Sequence, residues 1–215
     1  MKKIIAVTSV LSVLASASAF AKTEGSYIGL DLHRATVTSN DENLTNPTVA
    51  TYKQSSKTGL GISYKYAFSF DKFFVAPGVF YERIGTKQYG TEDTVDGATS
   101  APFFSVNNRY GARVDFGYDI TSTFAAYVTA GISNTGYKVS LVDSHPTSGP
   151  ARLENNKNET AMLYGVGFMS KVTDEVSVGA EFNTQRFAVN NRDNSSDIHT
   201  KANLDLYKVT LAYHF

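Results

Sequence analysis

The pattern of the chain is plainest at its C-terminal end. Tyr207, Val209, Leu211, Tyr213 and Phe215 alternate with Lys208, Thr210, Ala212 and His214. A period of two places the first set on one face of a β-strand and the second set on the other. The same alternation recurs upstream, with almost no 3.6-residue periodicity after Gly25. Ile28, Leu30 and Leu32 oppose Tyr27, Gly29, Asp31 and His33. Leu60, Ile62, Tyr64, Tyr66 and Phe68 oppose Gly59, Gly61, Ser63 and Lys65. Phe73, Val75, Pro77, Val79 and Tyr81 oppose Phe74, Ala76, Gly78, Phe80 and Glu82. A fourth strand sets Val106, Tyr110, Ala112, Val114, Phe116 and Tyr118 against Arg109, Gly111, Arg113, Asp115 and Gly117. A fifth sets Phe124, Ala126, Val128, Ala130 and Ile132 against Ala125, Tyr127, Thr129 and Gly131. Met162, Tyr164, Val166 and Phe168 then oppose Ala161, Gly165 and Gly167, and Val176, Val178, Ala180 and Phe182 oppose Ser177, Gly179, Glu181 and Asn183. With the terminal strand this predicts eight. Pro77 is awkward in an interior strand, and a local bulge or widened ladder is expected there.

The connections alternate as well. Residues 69–72, 119–122 and 173–175 read as tight turns, whereas 39–57, 85–104, 140–158 and 189–201 read as long polar loops. In an up-and-down sheet every short turn then lies at one end and every long loop at the other. Tight periplasmic turns and longer extracellular loops are the asymmetry of an outer-membrane barrel. The second face of the strands supports closure into a barrel over a solvated sandwich. It is rich in Gly and Ala and carries isolated charges: Asp31, Lys65, Glu82, Arg109, Arg113, Asp115, Glu181 and Lys208. Small residues beside balanced charges suit a cramped interior, and charges held there are expected to pair. Aromatics cluster near the short turns, at Tyr66, Phe68, Phe73, Tyr118, Phe124, Phe168, Tyr213 and Phe215, as one interfacial girdle would. Tyr81, Tyr110 and Tyr137 are expected in the opposite one.

The N-terminus adds a destination. Met1-Lys2-Lys3, an apolar stretch over 4–14 and the small residues up to Ala21 form a secretory signal, with cleavage expected before Lys22. The apolar stretch is well short of the roughly 18 residues that a membrane-spanning helix needs. The expected division is therefore a signal peptide at 1–21 and a barrel domain at 22–215, with no further periplasmic domain. Composition mostly excludes. There is no cysteine, hence no disulfide scaffold, thiol nucleophile or zinc–thiolate site. The 20 basic and 20 acidic residues leave no electrostatic footprint for nucleic acid.

The signal, the alternating strands and the terminal Tyr213-His214-Phe215 together resemble the small eight-stranded outer-membrane β-barrel family. That family includes the transmembrane domain of OmpA, OmpX and opacity-type adhesins. The stretch Arg109-Tyr-Gly-Ala-Arg-Val-Asp-Phe-Gly-Tyr-Asp, followed by Ala126-Tyr-Val-Thr-Ala-Gly-Ile, is similar to the central hairpin of these domains. So is Tyr164-Gly-Val-Gly-Phe with Val178-Gly-Ala-Glu-Phe. The resemblance implies an all-β, eight-stranded, antiparallel transmembrane barrel in the bacterial outer membrane. It also implies that Tyr207, Val209, Leu211, Tyr213 and Phe215 form the C-terminal signal read by the barrel-assembly machinery. Outer-membrane lipid and lipopolysaccharide are the implied surroundings.

Candidate chemistry is thin. His145 and His199 each lie beside Ser and Asp, but a catalytic triad is defined by geometry and not by adjacency. His33 and His214 are expected to face the interior as structural residues. Glu92, Asp93 and Asp96 read as a solvated loop tip in preference to a cation site. No enzymatic activity, cofactor or metal is expected. The reading is a monomeric barrel presenting four surface loops for adhesion or other surface interaction, with Tyr89, Phe103 and Phe104 among the loop contacts. The alternatives are a narrow porin-like channel for small solutes or ions, and an envelope-structural barrel.

Overall fold

The structure, a computed structural model, describes residues 23–40, 55–89, 93–95, 98–145, 149–193 and 196–215. Among these the strands are β1 (Gly25–Asn40), β2 (Ser55–Phe70), β3 (Phe73–Tyr89), β4 (Asp93–Val95), β5 (Ala98–Asp119), β6 (Phe124–His145), β7 (Gly149–Lys171), β8 (Val176–Asp193) and β9 (Ser196–His214). Each long strand pairs antiparallel with its neighbours. The ring closes through β1 with β9, from Tyr27 opposite His214 to Asn40 opposite Lys201. The short β4 folds back on β5 and takes no part in the ring, which leaves eight staves.

Closure requires a stagger. Ladder partners traced round the ring from Tyr27 pass through Lys65, Gly78, Arg113, Gly131, Leu163, Gln185 and Leu204. They return to β1 at Val37, ten residues farther along. For a ring of eight strands such a shift tilts the strands by about 40° to the axis, which fits a small closed barrel.

Two β-bulges interrupt the ring, between Arg83 and Thr86 on β3 and between Val106 and Asn108 on β5. The second corrects an expectation. Val106 does not share the outward face of Tyr110 and Ala112. The extra residue inverts the side-chain parity, and Val106 is fully buried inside the barrel. Opposite Pro77 the β2–β3 ladder is interrupted between Lys65–Gly78 and Phe68–Val75 with its register unchanged, so the proline widens the ladder without a bulge.

The long connections also differ from expectation. Apart from 41–54, most of each one is strand: β6 runs to His145 and β7 begins at Gly149, while β8 runs to Asp193 and β9 begins at Ser196. The hairpins rise above the barrel as ladders, so their backbone hydrogen bonds are made internally.

Both surfaces of the wall change character at one level. On the outward face, the last apolar residue and the first polar one are Leu32 and Arg34, Leu60 and Thr58, Tyr81 and Arg83, and Tyr110 and Asn108. The series continues round the ring with Ile132 and Asn134, Met162 and Thr160, Phe182 and Thr184, and Tyr207 and Asp205. On the inward face the order is reversed. Charged side chains lie at or below this level, with the amide Gln185 just above it, and higher up Ala35, Val37, Ile84, Phe104, Val106, Tyr137, Phe187, Ala202, Leu204 and Leu206 form a buried apolar cluster. Below the level the surroundings are hydrocarbon, so polar groups must turn inward. Above it the surroundings are water and the interior becomes an ordinary core. Tyr137 and Phe104, expected in the upper girdle and among the loop contacts, belong to this core. The side chains of Tyr89 and Phe103 lie outside the described residues.

The lower girdle is built as neighbouring ring pairs: Tyr66 with Phe68 at 4.7 Å, Phe73 with Tyr118 at 5.0 Å, Phe124 with Phe168 at 5.8 Å, and Tyr213 with Phe215 at 6.1 Å. Inside the barrel at this end, Tyr27, Ala67, Phe74, Ala76, Ala125, Tyr127, Met169 and Ala212 form a second apolar cluster.

Candidate functional site: the charged interior

Between the two apolar clusters the inward positions of β1, β2, β3, β5, β8 and β9 deliver Asp31, Lys65, Glu82, Arg109, Arg113, Asp115, Glu181 and Lys208 to one layer. Glu82 and Asp115 are fully shielded from solvent and Arg109 nearly so. Arg109 Nε donates to Glu82 Oε2 at 2.8 Å, and its Nη2 donates to Asn183 Oδ1 at 2.9 Å. Lys208 Nζ lies between two carboxylates, 3.2 Å from Glu82 and 2.7 Å from Glu181. Arg113 reaches across the lumen from β5 to β8, where its Nη1 donates to both Glu181 oxygens at 2.7 and 2.8 Å. It also lies 3.4 Å from Asp115, and Lys65 Nζ pairs with Asp115 Oδ2 at 3.1 Å. The Lys65 ammonium further sits 5.7 Å from the ring centre of Tyr27 and 5.0 Å from that of Tyr127.

Asp31 stands apart from the ion pairs. Its Oδ1 accepts from Thr210 Oγ1 at 2.5 Å, and its Oδ2 has no partner among the described residues. The expectation that every interior charge meets an opposite one therefore does not hold for Asp31. Thr210 reaches it because it lies directly opposite Asp31 in the β1–β9 ladder.

Neutral residues complete the layer. Glu181 accepts from Tyr127 Oη at 3.0 Å and from Asn183 Nδ2 at 2.7 Å. Gln185 Oε1 accepts from Ser133 at 2.8 Å and from Thr135 at 3.1 Å. Sequence reasoning did not single out Tyr127, Asn183 and Gln185 as part of the site. Their signal was available, since Asn183 and Gln185 follow Glu181 at inward positions of β8 and Tyr127 falls on an inward position of β6.

His33 is buried on the inward face, with neither ring nitrogen hydrogen-bonded among the described residues. His214 stacks on Tyr27 at 4.6 Å between ring centres. The side chains of His145, His199, Glu92, Asp93 and Asp96 lie outside the described residues. Tyr207, Val209, Leu211, Tyr213 and Phe215 all face outward from β9, and Phe215 is 63% exposed.

A closed barrel that is apolar outside, charged inside and ringed by aromatics is an integral protein of the bacterial outer membrane. The chain belongs to the outer membrane protein β-barrel domain family, whose model matches residues 6–215. Among solved structures it is similar to Ail, the attachment invasion locus protein of Yersinia pestis, at 16% identity and a TM-score of 0.54, covering 90% of this chain and 100% of that one. It is also similar to the outer membrane protein OprG from Pseudomonas aeruginosa, at 12% identity and a TM-score of 0.50, covering 92% and 99%. At these identities the likeness concerns the fold. No curated protein matches the chain in sequence.

Proposed function

We propose that this protein is a closed, non-conducting pedestal that holds its long hairpins above the outer membrane for contact with other surfaces. The observation that carries the reading is the double obstruction of the lumen. Arg113 and Glu181 join opposite walls at mid-height, and the apolar cluster around Phe104, Tyr137 and Phe187 fills the interior above them. A rigid stem with laddered hairpins suits presentation, because ordered backbone lowers the entropy lost on contact. In a planar bilayer the inserted protein is expected to stay silent. Displayed on a non-adherent bacterium, it is expected to raise attachment to an epithelial monolayer. Replacing residues 138–157 with a two-residue turn should return attachment to background. Steady conductance would overturn the closed pedestal, and attachment unaffected by trimming any of the hairpins would overturn the contact reading.

A narrow channel is the second reading. The orphaned polar atoms of Asp31 and His33 favour it, since buried polar groups of this kind call for water. The same bilayer recording decides between the two.

In this reading the protein is a monomer without catalytic function, because a closed ring leaves no free strand edge and the His33 imidazole is packed inside it. Residues 1–21 act as an export signal, and N-terminal sequencing of the outer-membrane protein should begin at Lys22. A start at Met1 would refute cleavage. The outward row ending in Phe215 serves as the assembly signal. Phe215→Ala is expected to slow insertion in cells several-fold while leaving spontaneous refolding into vesicles nearly unchanged. Equal slowing of both would assign Phe215 to the girdle alone.

A further inference from the structure

At the short-turn end the chain enters β1 from across the mouth of the barrel. Gly25 begins the strand with a φ of 124°, a conformation open to glycine and strained for other residues, and it turns the two residues before it over the opening. Thr23, only 4% exposed, donates from Oγ1 to Asp119 Oδ1. Asp119 ends β5, and the β5–β6 turn lies three to four staves from β1 in the ring of eight, on the far wall. Between the two walls His214 Nε2 donates to the Glu24 carbonyl at 2.8 Å, and the imidazole is stacked on Tyr27 with the rings 8° from parallel. The far anchor is itself fixed, since the Asp119 amide donates to the Lys72 carbonyl at 2.7 Å.

What lies behind this segment is polar and incompletely satisfied. Tyr27 Oη and Ser177 Oγ, both on the inward face, have no hydrogen-bond partner among the described residues. A cavity of about 20 Å³, bordered by Tyr27, Ser63, Lys65, Arg113, Tyr127 and Thr210, lies between the lower apolar cluster and the charged layer. That is room enough for water, and an orphaned hydroxyl at its border calls for it. The two ends of the interior are thus shut by different means. Above, the cluster around Phe104, Tyr137 and Phe187 is a packed core. Below, the residues before Gly25 are held by hydrogen bonds, each of modest net strength.

We propose that residues 23–25 are a strap that closes the short-turn mouth, with the bond from Thr23 to Asp119 as its latch. Lifting the strap admits water and small ions to the lower side of the charged layer from the periplasm, while the surface side stays shut. Gly25 is the hinge. A β-carbon there would lie 2.3 Å from His214 Nε2, so any other residue must push the imidazole or the strap aside. The strap swings only as a free chain end, so the inference rests on cleavage before Lys22. It is independent of what the hairpins touch. It also leaves the protein silent in a bilayer, because a barrel opened at one end is a blind well and not a pore.

The chain has no cysteine, so one introduced thiol reports on one place. Protein extracted from outer membranes, carrying the N-terminus that the cell leaves, is placed in lipid nanodiscs that expose both ends. Ser177→Cys puts the thiol behind the strap and Leu204→Cys puts it in the upper core. Each is timed against a quaternary-ammonium methanethiosulfonate. Ser177→Cys alone is expected to react slowly. Adding Thr23→Val, Asp119→Leu or Gly25→Val should raise its rate at least tenfold, whereas Thr23→Ser, which keeps the donor, should leave it slow. Thr23→Val/Asp119→Leu should be no faster than either single substitution, as for two halves of one bond. The Leu204→Cys rate should stay constant throughout. A Ser177→Cys rate unmoved by Thr23→Val and Gly25→Val, or fast before either is added, would overturn the strap. Thr23→Ser as fast as Thr23→Val, or effects that multiply in the double variant, would remove the latch. Leu204→Cys quickening in step would mean a loosened barrel and would also sink the proposal. N-terminal sequencing of the same sample reads cleavage separately, so a start at Met1, which removes the free end, is told apart from a free end that does not close the mouth.

Discussion

Glu181→Ala is expected to lower the stability of the refolded barrel by about 3–5 kcal/mol, the usual cost of leaving a buried charge without its partner. Glu181 is the hub of the interior layer. Its carboxylate accepts from Arg113, Tyr127 and Asn183 and pairs with Lys208. Removing it leaves Arg113 with Asp115 and Lys208 with Glu82, two carboxylates that already neutralise Lys65 and Arg109. The layer would then hold more positive than negative charge in a water-poor space. Glu181→Gln should be milder, because an amide keeps the volume and can still accept from Tyr127. Glu181→Ala/Lys208→Met should recover part of the loss by removing one of the stranded cations. Guanidinium unfolding in lipid vesicles, followed by circular dichroism and gel mobility, measures all three. An unchanged midpoint in Glu181→Ala would mean that water or lipid counterions reach the layer and that the interior is not closed.

Phe187→Ala should have a comparable effect at a different place. Phe187 lies 6.5 Å from Phe104 and 5.9 Å from Tyr137, ring centre to ring centre, in the cluster that fills the barrel above the membrane level. Truncating a buried phenylalanine typically costs about 3–5 kcal/mol through lost transfer energy and the cavity left behind. The loss should be local. Its outward neighbours Arg186 and Ala188 are exposed above the apolar band, so the hairpin extensions should open while the lipid-supported ladder below persists. Hydrogen exchange should therefore quicken in the upper parts of β5, β6 and β8 and stay slow around 176–182. Uniform quickening along β8 would show that the extensions and the membrane-spanning part unfold as one unit.

The two sites were unequally legible. The charge layer could be read residue by residue, because each charge breaks the small-residue pattern of an inward face, as Arg113 does between Gly111 and Asp115. The upper core was missed at three positions. Phe104 and Val106 precede a bulge, and a parity carried back from Tyr110 places Val106 on the wrong side of the wall. The doublet Asn107-Asn108, polar on both faces at once, was the local sign of that bulge. Tyr137 needs no bulge to be placed: counted forward from Ile132 it falls inward, although an aromatic beside a long polar connection reads as a girdle residue. The extent of the hairpins was hidden for another reason. Above the membrane the outward face is polar and the stretch reads as loop, although its inward positions still alternate.

What lay in the linear order of residues was the strand period, the number of staves, the end that carries the short turns, and which charges face inward. All of these follow from a side-chain direction that reverses at every residue, a property of each strand alone. What required the closed barrel was the ten-residue stagger, and with it the partners. Glu181 meets Lys208 in a neighbouring ladder, but it meets Arg113 across the lumen, at a height set by the sum of eight registers. No local pattern encodes that sum. It is decided when the last strand pairs with the first, because that pairing alone must satisfy every ladder, the packing of both apolar clusters and the burial of the charges at once.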